Sequence, residues 1–194
     1  MMQYFILVVC WVLYFTIHSL LASNKVKDII YNRIPFFKKY YRIAFNFIAI
    51  TSLIPIVYYT LHIQDYKIWN LKIGIYIGYF FFVFGLLILG IAFASFNLKE
   101  FLGLEQYQES DQKSELVITG IYQYVRHPLY FGTLVIFVGL FFLIPTFKIA
   151  LVNAISFIYL IIGSRLEEQK LIDYFGQSYI DYKTKVKGLI PFVI

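Results

Sequence analysis

A turn, a charged pair and a helix start follow one another in the stretch Gly120-Ile121-Tyr122-Gln123-Tyr124-Val125-Arg126-His127-Pro128-Leu129-Tyr130. Proline at the first position of a helix leaves no unsatisfied NH and presets the backbone, so Pro128 predicts a helix start. The apolar residues that follow, 129–144, make this helix a candidate membrane segment. Because ionisable groups at a membrane boundary are costly to desolvate, Arg126 and His127 are candidate functional residues.

The composition is that of a polytopic membrane protein. Of the 194 residues, 60% are hydrophobic and only 14% are charged, whereas soluble domains have about 45–50% and about 25%. The one cysteine, Cys10, lies in the first apolar run, so no intramolecular disulfide and no thiolate-built metal site is expected, and no metal is assigned. The net charge of +6 does not indicate nucleic acid, because the basic residues lie between apolar runs, as anionic membrane surfaces favour.

Five apolar runs predict an all-α membrane protein with five transmembrane helices and a cytosolic C-terminal helical segment. A helix needs about 20 residues to cross the hydrocarbon core. The first three runs reach that length, whereas the last two are shorter, are separated only by Pro145-Thr146, and predict a hairpin of short helices. We expect two parts, residues 1–96 with three spans and residues 97–194 with the functional core. The runs are 3–22, 41–61, 73–96, 129–144 and 147–163.

The basic residues predict the orientation of these runs in the membrane. Of the 17 Lys and Arg residues, 14 lie in the segments 23–42, 97–126 and 165–187, and only Lys67, Lys72 and Lys148 lie on the other side. Because cytoplasmic loops carry the excess of basic residues, the N-terminus is expected outside and the C-terminus in the cytosol.

The polar segments are expected to differ in structure. Residues 23–40 are interpreted as a basic loop on the lipid headgroups, and the acidic segment 97–119 as too polar to insert. The apolar helix of the last run is expected to end at Arg165-Leu166-Glu167-Glu168. Residues 165–188 then form helices whose apolar residues share one face, and Gly176 separates two of them.

Two motifs in the second half of the chain resemble the integral membrane methyltransferases, a group that includes isoprenylcysteine carboxyl methyltransferase and the phospholipid methyltransferases. The resemblance covers about residues 115–191. The N-terminal segment 15–22 and the segment 101–104 are more loosely similar to bacterial methanethiol S-methyltransferase and the NnrU-like proteins. The motifs are Leu116-Val117-x-x-Gly120-Ile121-Tyr122-x-x-x-Arg126-His127-Pro128-x-Tyr130 and Glu167-Glu168-x-x-Leu171-x-x-x-Phe175-Gly176-x-x-Tyr179-x-x-Tyr182.

The resemblance implies a methyltransferase that uses S-adenosylmethionine on the cytosolic side. Its acceptor would be a lipophilic or small molecule with a thiol, carboxylate or amine, and its other partners membrane lipids, without nucleic acid. The catalytic candidates are Arg126, which would orient an anionic acceptor, His127 as general base, and Tyr130 along the transfer path. The implied cofactor-binding residues are Leu116, Val117, Gly120, Tyr122, His127, Pro128, Tyr130, Glu167 and Glu168, with Glu168 expected to contribute more than Glu167.

Three other interpretations stay open at this point. By analogy with NnrU-like proteins, the chain would be a haem-binding isomerase or redox accessory protein, with His18 as an axial ligand. Steroid and sterol reductases share a similar C-terminal pattern and use NADPH, but only Arg165 and Lys170 are available to pair with its 2′-phosphate. The third alternative is a membrane partner that has kept the fold without catalysis.

The predicted orientation is tested by labelling introduced cysteines in sealed vesicles or intact cells. In a Cys10→Ser background, a cysteine placed in the segment 63–72 is expected to react with an impermeant reagent added outside, because this segment carries few basic residues. A cysteine at Ser110 is expected to stay unlabelled until the membrane is broken. The reverse pattern would put the motifs on the side of the membrane where S-adenosylmethionine is not made.

Overall fold

The structure, a computed structural model, describes residues 1–95 and 116–193. All named elements of these residues are helical, as the composition and apolar runs predict. Residues 97–115 of the predicted acidic segment 97–119 lie outside the described residues. The helices are α1 (Met2–Ala22), α2 (Asn24–Arg33), α3 (Tyr41–His62), α4 (Lys72–Ala94), α5 (Pro128–Leu143), α6 (Phe147–Phe175) and α7 (Gln177–Lys185), with 3-10 helices at Pro35–Lys39 and Gly120–Gln123.

Four of the described helices are long and apolar enough to cross a membrane, namely α1, α3, α4 and α6. The remaining apolar helix, α5, begins at Pro128 as predicted and has 16 residues, which is short for a span. The protein is therefore an integral membrane protein. Of the five spans expected from the sequence, four have the required length and the fourth run forms the shorter helix α5.

The prediction that the last apolar run forms a second short helix is wrong. Helix α6 has 29 residues and continues through Arg165-Leu166-Glu167-Glu168 to Phe175. The segment after the apolar run contains Leu, Glu, Gln and Lys without proline or glycine, and these residues favour a helix as strongly as the apolar ones. The helix ends at Gly176, which has φ of 60°, a value that L residues rarely adopt. The predicted role of Gly176 is therefore confirmed.

The expected basic loop at residues 23–40 is also largely helical. Ser23 caps α2 by accepting a hydrogen bond from the Val26 amide on its hydroxyl oxygen at 3.3 Å, and serine is among the strongest N-cap residues. A 3-10 helix, Pro35–Lys39, then leads into α3.

The described residues divide into two compact units, and unit 1 comprises residues 1–65. Its helices α1 and α3 are joined by side-chain hydrogen bonds at several levels. The Trp11 indole donates to the Thr60 hydroxyl at 3.1 Å, where both side chains are buried. The Tyr41 hydroxyl donates to the Leu21 carbonyl at 2.6 Å. Because an indole NH in apolar surroundings needs a partner, these bonds fix the register of the pair.

Unit 2 comprises residues 66–95 and 116–193 and is built on close packing of α4 against α5. A β carbon added to Gly85 would lie 2.6 Å from Ile136 Cγ1 and 2.8 Å from the Gly132 carbonyl oxygen. One added to Gly139 would lie 2.6 Å from the Phe82 amide nitrogen. Such glycines let two membrane helices approach backbone to backbone. They place α4 in unit 2, so the compact units divide at 65/66. The expected division into a part with three spans, 1–96, and a functional core, 97–194, stays a prediction.

Helices α5 and α6 form a hairpin whose turn is held by residues before α4. The Ile68 amide donates to the Pro145 carbonyl at 2.7 Å, and the Phe147 amide donates to the Tyr66 carbonyl at 3.3 Å. Farther along the hairpin, the Asn153 amide group donates to the Phe137 carbonyl at 2.8 Å. The hairpin brings the start of α5 beside the polar part of α6.

The glycine packing predicts opposite effects for two alanine substitutions on α4. Gly85→Ala should destabilise the protein by about 1–3 kcal/mol, because a methyl group there overlaps the backbone of α5. Gly90→Ala should be neutral or slightly stabilising, since a β carbon there meets nothing within 4 Å and alanine favours helices. Thermal unfolding of both variants in the same detergent measures the difference. Equal midpoints would contradict the close approach of α4 and α5.

Candidate functional site

The two sequence motifs meet where α5 begins. His127 directly precedes α5, and Pro128 at its first position is buried. Glu167 and Glu168 lie on α6, forty residues later in the chain. His127 Nε2 lies 3.4 Å from Glu168 Oε1, and His127 Nδ1 lies 3.8 Å from Glu167 Oε2. The histidine ring is therefore placed between two carboxylates.

The Glu168 carboxylate is held by two cations. Arg126 Nε donates to Glu168 Oε1 at 2.9 Å, and Arg126 Nη2 contacts the same oxygen. Lys183 Nζ donates to Glu168 Oε2 at 2.6 Å. The side chains of Arg126 and Glu168 are only 9% and 11% exposed, whereas that of Lys183 is 42% exposed. A buried carboxylate with both oxygens bound to cations is held ionised and in one position.

Arg126 also binds the end of α7 and the residues that follow it, 183–188, which we call the C-terminal strap. Its Nη1 donates to the Lys183 carbonyl at 3.1 Å and to the Val186 carbonyl. Its backbone amide donates to the Lys187 carbonyl at 2.8 Å, and the next amide, of His127, donates to the Gly188 carbonyl at 2.9 Å. A β carbon on Gly188 would lie 3.1 Å from Arg126 Nη2. Each guanidinium nitrogen of Arg126 is thus bonded to a protein group, and its role towards an anionic acceptor stays a prediction.

Glu167, the other acid of the pair, has different surroundings. The Glu167 side chain is 46% exposed, and its carboxylate lies near the Tyr130 hydroxyl. The rings of Tyr130 and His127 are stacked, with centroids 5.5 Å apart and planes at 17°. Tyr130 and His127 therefore flank Glu167 while half of that carboxylate side chain stays accessible.

The remaining predicted site residues gather around a cluster of buried tyrosines. Tyr122, Tyr179 and Tyr182 form this cluster, and Leu116 and Val117 pack against it. The Tyr182 hydroxyl donates to the Tyr122 carbonyl at 2.5 Å. Burial raises the pKa of Tyr122, and it raises the pKa of Tyr179 and Tyr182 to about 12. These phenols are neutral at physiological pH and cannot act as bases there.

Gly120 lies in the turn before this cluster. Its φ is 62°, and a β carbon there would meet nothing within 4 Å. Its glycine identity is thus explained by backbone conformation.

Lys183 and Gly188 also belong to the site, although no motif in the sequence indicates them. In the sequence, Lys183 contributes only to the number of basic residues that predicts the membrane orientation, because nothing there pairs it with an acid 15 residues earlier.

Unit 1 has a feature of its own, an apolar cavity of about 390 Å³ along α1 and α3. His18 lines it, and its ring lies 4.8 Å from Phe45 and 5.9 Å from Tyr14, centroid to centroid. Its Nδ1 is buried without a hydrogen-bond partner among the described residues. Aromatic contacts thus surround the ring, and a role for His18 as a haem ligand stays a prediction.

The fold and the site together define a class of protein. It is a helical membrane protein in which a histidine and two glutamates, here His127, Glu167 and Glu168, meet at the start of a helix. The family model of the phospholipid methyltransferases matches residues 73–178, which is more than half of the chain and includes the first motif and the second motif as far as residue 178. The chain belongs to the phospholipid methyltransferase family.

Named relatives agree with this assignment. Methanethiol S-methyltransferase from Crocosphaera subtropica is 30% identical over 158 residues, covering 76% of this chain and 60% of the relative. Protein-S-isoprenylcysteine O-methyltransferase from Dictyostelium discoideum is 32% identical over 142 residues, covering 69% and 54%. The chain thus matches less than two thirds of either relative's length. No solved structure shows significant similarity to the chain.

The ion-pair geometry predicts different stability losses for the two cations at Glu168. Arg126→Ala should destabilise the protein by about 3–5 kcal/mol, because it leaves Glu168 buried with a lost partner and frees the C-terminal strap. Lys183→Ala should cost about 1 kcal/mol or less, since its side chain is largely exposed. Thermal unfolding in detergent compares the two variants. A larger loss for Lys183→Ala would contradict the assignment of Arg126 as the buried clamp.

Proposed function

We propose that this protein is an integral membrane methyltransferase that uses S-adenosylmethionine, with its cofactor site at the start of α5. The observation that carries the proposal is the convergence of the two motifs, in which His127 lies within 3.8 Å of Glu167 and 3.4 Å of Glu168. Family membership supports the reaction class. The named methyltransferase relatives support it further.

The residues present fit such a cofactor. His127 is buried with its Nε2 3.4 Å from Glu168 Oε1, so its ring is held in place as a wall of the site. Glu167 offers an accessible carboxylate for hydroxyl or ammonium groups. The stacked rings of His127 and Tyr130 offer an apolar face. Leu116, Val117, Gly120, Tyr122 and Pro128 would complete the surroundings.

The cofactor supplies an electrophilic methyl group when bound, so the chain need not activate the donor. The task of its residues is alignment, which can contribute about 7–11 kcal/mol to lowering the barrier. The Arg126 and Glu168 pair holds the start of α5, α6 and the C-terminal strap together, and this fixes the position of His127. Burial of His127 excludes water from one side of the site.

The acceptor is proposed to be a small or lipophilic molecule that reaches the site from the membrane. The names of the relatives point to a thiol, methanethiol, and to the carboxylate of an isoprenylated cysteine. Four candidate spans place the chain where apolar acceptors accumulate. With the proposed cytosolic C-terminus, the cofactor would enter from the cytosol.

The proposal predicts that the purified full chain in detergent binds S-adenosylhomocysteine. His127→Ala should weaken this binding by roughly tenfold, because one hydrogen-bonding group and its packing are lost. His62→Ala, which changes an exposed histidine of unit 1 bonded to the Tyr58 carbonyl, is the matched control and should bind normally. Isothermal titration calorimetry measures both variants after thermal unfolding has confirmed that each is folded. Absence of binding by the folded wild-type protein would overturn the proposal.

A further inference from the structure

We infer that Glu167 is the general base of the reaction and that the acceptor is a neutral thiol. This inference rests on the proposed methyltransferase function and narrows its acceptor. It starts from the different surroundings of the two adjacent acids on α6. Glu168 is buried and bound to Arg126 and Lys183, whereas the Glu167 side chain is 46% exposed and lies beside the rings of Tyr130 and His127.

The first step concerns the charge available to an acceptor. Arg126 is the cation that an anionic acceptor would require at the His127 motif. Its Nε and Nη2 are used by Glu168, and its Nη1 by the Lys183 and Val186 carbonyls. Its side chain is 9% exposed. An acceptor carboxylate beside Glu167 would therefore face a like charge, which disfavours its binding.

The second step concerns the orientation of Glu167. The Tyr130 hydroxyl lies near the carboxylate, and His127 Nδ1 lies 3.8 Å from its Oε2. Both rings are fixed because they stack on each other and because Pro128 between them is buried in the first turn of α5. His127 itself is 4% exposed in its side chain, so Glu167 is the member of this group that an acceptor can reach.

The third step selects the acceptor class. A carboxylate acceptor is already ionised at neutral pH and needs no base. An amine attacks as the neutral molecule and loses its proton afterwards. A thiol differs from both because the thiolate is the nucleophile, so its proton must leave as it attacks. A positioned carboxylate beside the transfer site thus serves a thiol best.

The proton and electron balance is complete with a sulfonium methyl donor as co-reactant. The acceptor S–H bond breaks, and its proton passes to a Glu167 carboxylate oxygen. The sulfur electron pair forms the new bond to the methyl carbon, while the pair of the broken carbon–sulfonium bond stays on the donor sulfur. The products are a methyl thioether, a neutral thioether from the donor and a protonated Glu167, which releases its proton to water.

The experiment compares two acceptors of equal chain length with the full chain in detergent, decanethiol and N-acetyl-S-decylcysteine. We expect methyl transfer to the thiol and little or none to the carboxylate. Glu167→Gln should lower kcat for decanethiol by about 100-fold or more, the usual contribution of a general base. The same variant should bind S-adenosylhomocysteine within roughly tenfold of wild type by calorimetry. With an aromatic thiol that is already ionised at the assay pH, the loss should shrink to a few fold.

The outcomes separate this inference from the proposed function. Failure of the wild-type protein to bind S-adenosylhomocysteine overturns both. Normal binding with preferential transfer to the carboxylate, or with transfer to neither compound, overturns the thiol assignment alone. Lys170→Gln, three residues beyond Glu167 on α6, identifies the cation if a carboxylate is methylated. A Glu167→Gln defect that is equal for alkyl and aromatic thiols would show that Glu167 acts only by position.

Discussion

The ion pair between Arg126 and Glu168 is the interaction on which the arrangement of the candidate site depends. Three chain segments that are distant in sequence meet there, because Arg126 precedes α5, Glu168 belongs to α6, and the C-terminal strap supplies Lys183 and the carbonyls that Arg126 binds. A buried pair of this kind is stabilising only when its remaining hydrogen-bonding groups are also satisfied. The carbonyls of the C-terminal strap satisfy the remaining groups of Arg126. The ion pair and the strap together thereby fix the positions of His127 and Glu167.

Neighbouring acids on one helix thereby acquire different roles. Successive helix residues point about 100° apart, so Glu168 turns towards α7 and Arg126 while Glu167 turns towards Tyr130. Glu168 is ionised, buried and structural, whereas Glu167 is accessible to ligands. The motif comparison ranked Glu168 as the stronger cofactor ligand. That ranking stays a prediction, and the geometry gives Glu168 a further task, to hold Arg126 and Lys183 in place.

Much of the helix layout and the convergence of the motifs could be predicted from the sequence, and the reasons for the exceptions are physical. Apolar length predicted the spans and Pro128 predicted the start of α5. Hydropathy could not show that α6 continues to Phe175, because helix propensity and hydropathy are separate properties. It also could not show that α4 belongs with α5, since the signal lies in Gly85 and Gly139 and not in the apolar residues. The partners of Arg126 could not be predicted, because two of its four side-chain hydrogen bonds go to backbone carbonyls, which carry no sequence signal.

The contacts of Arg126, which the sequence does not show, also explain why the Arg126-His127-Pro128 motif does not by itself predict the charge of the acceptor. An arginine in a site suggests an anion because its guanidinium binds carboxylates in two-pronged fashion. Here that capacity is already used by Glu168 on the neighbouring helix. A cation committed to a buried partner contributes no net charge to a ligand, so the accessible charge beside His127 is that of Glu167. The residue type thus indicates what arginine can bind, and only its contacts show whether any of that capacity is left for an acceptor.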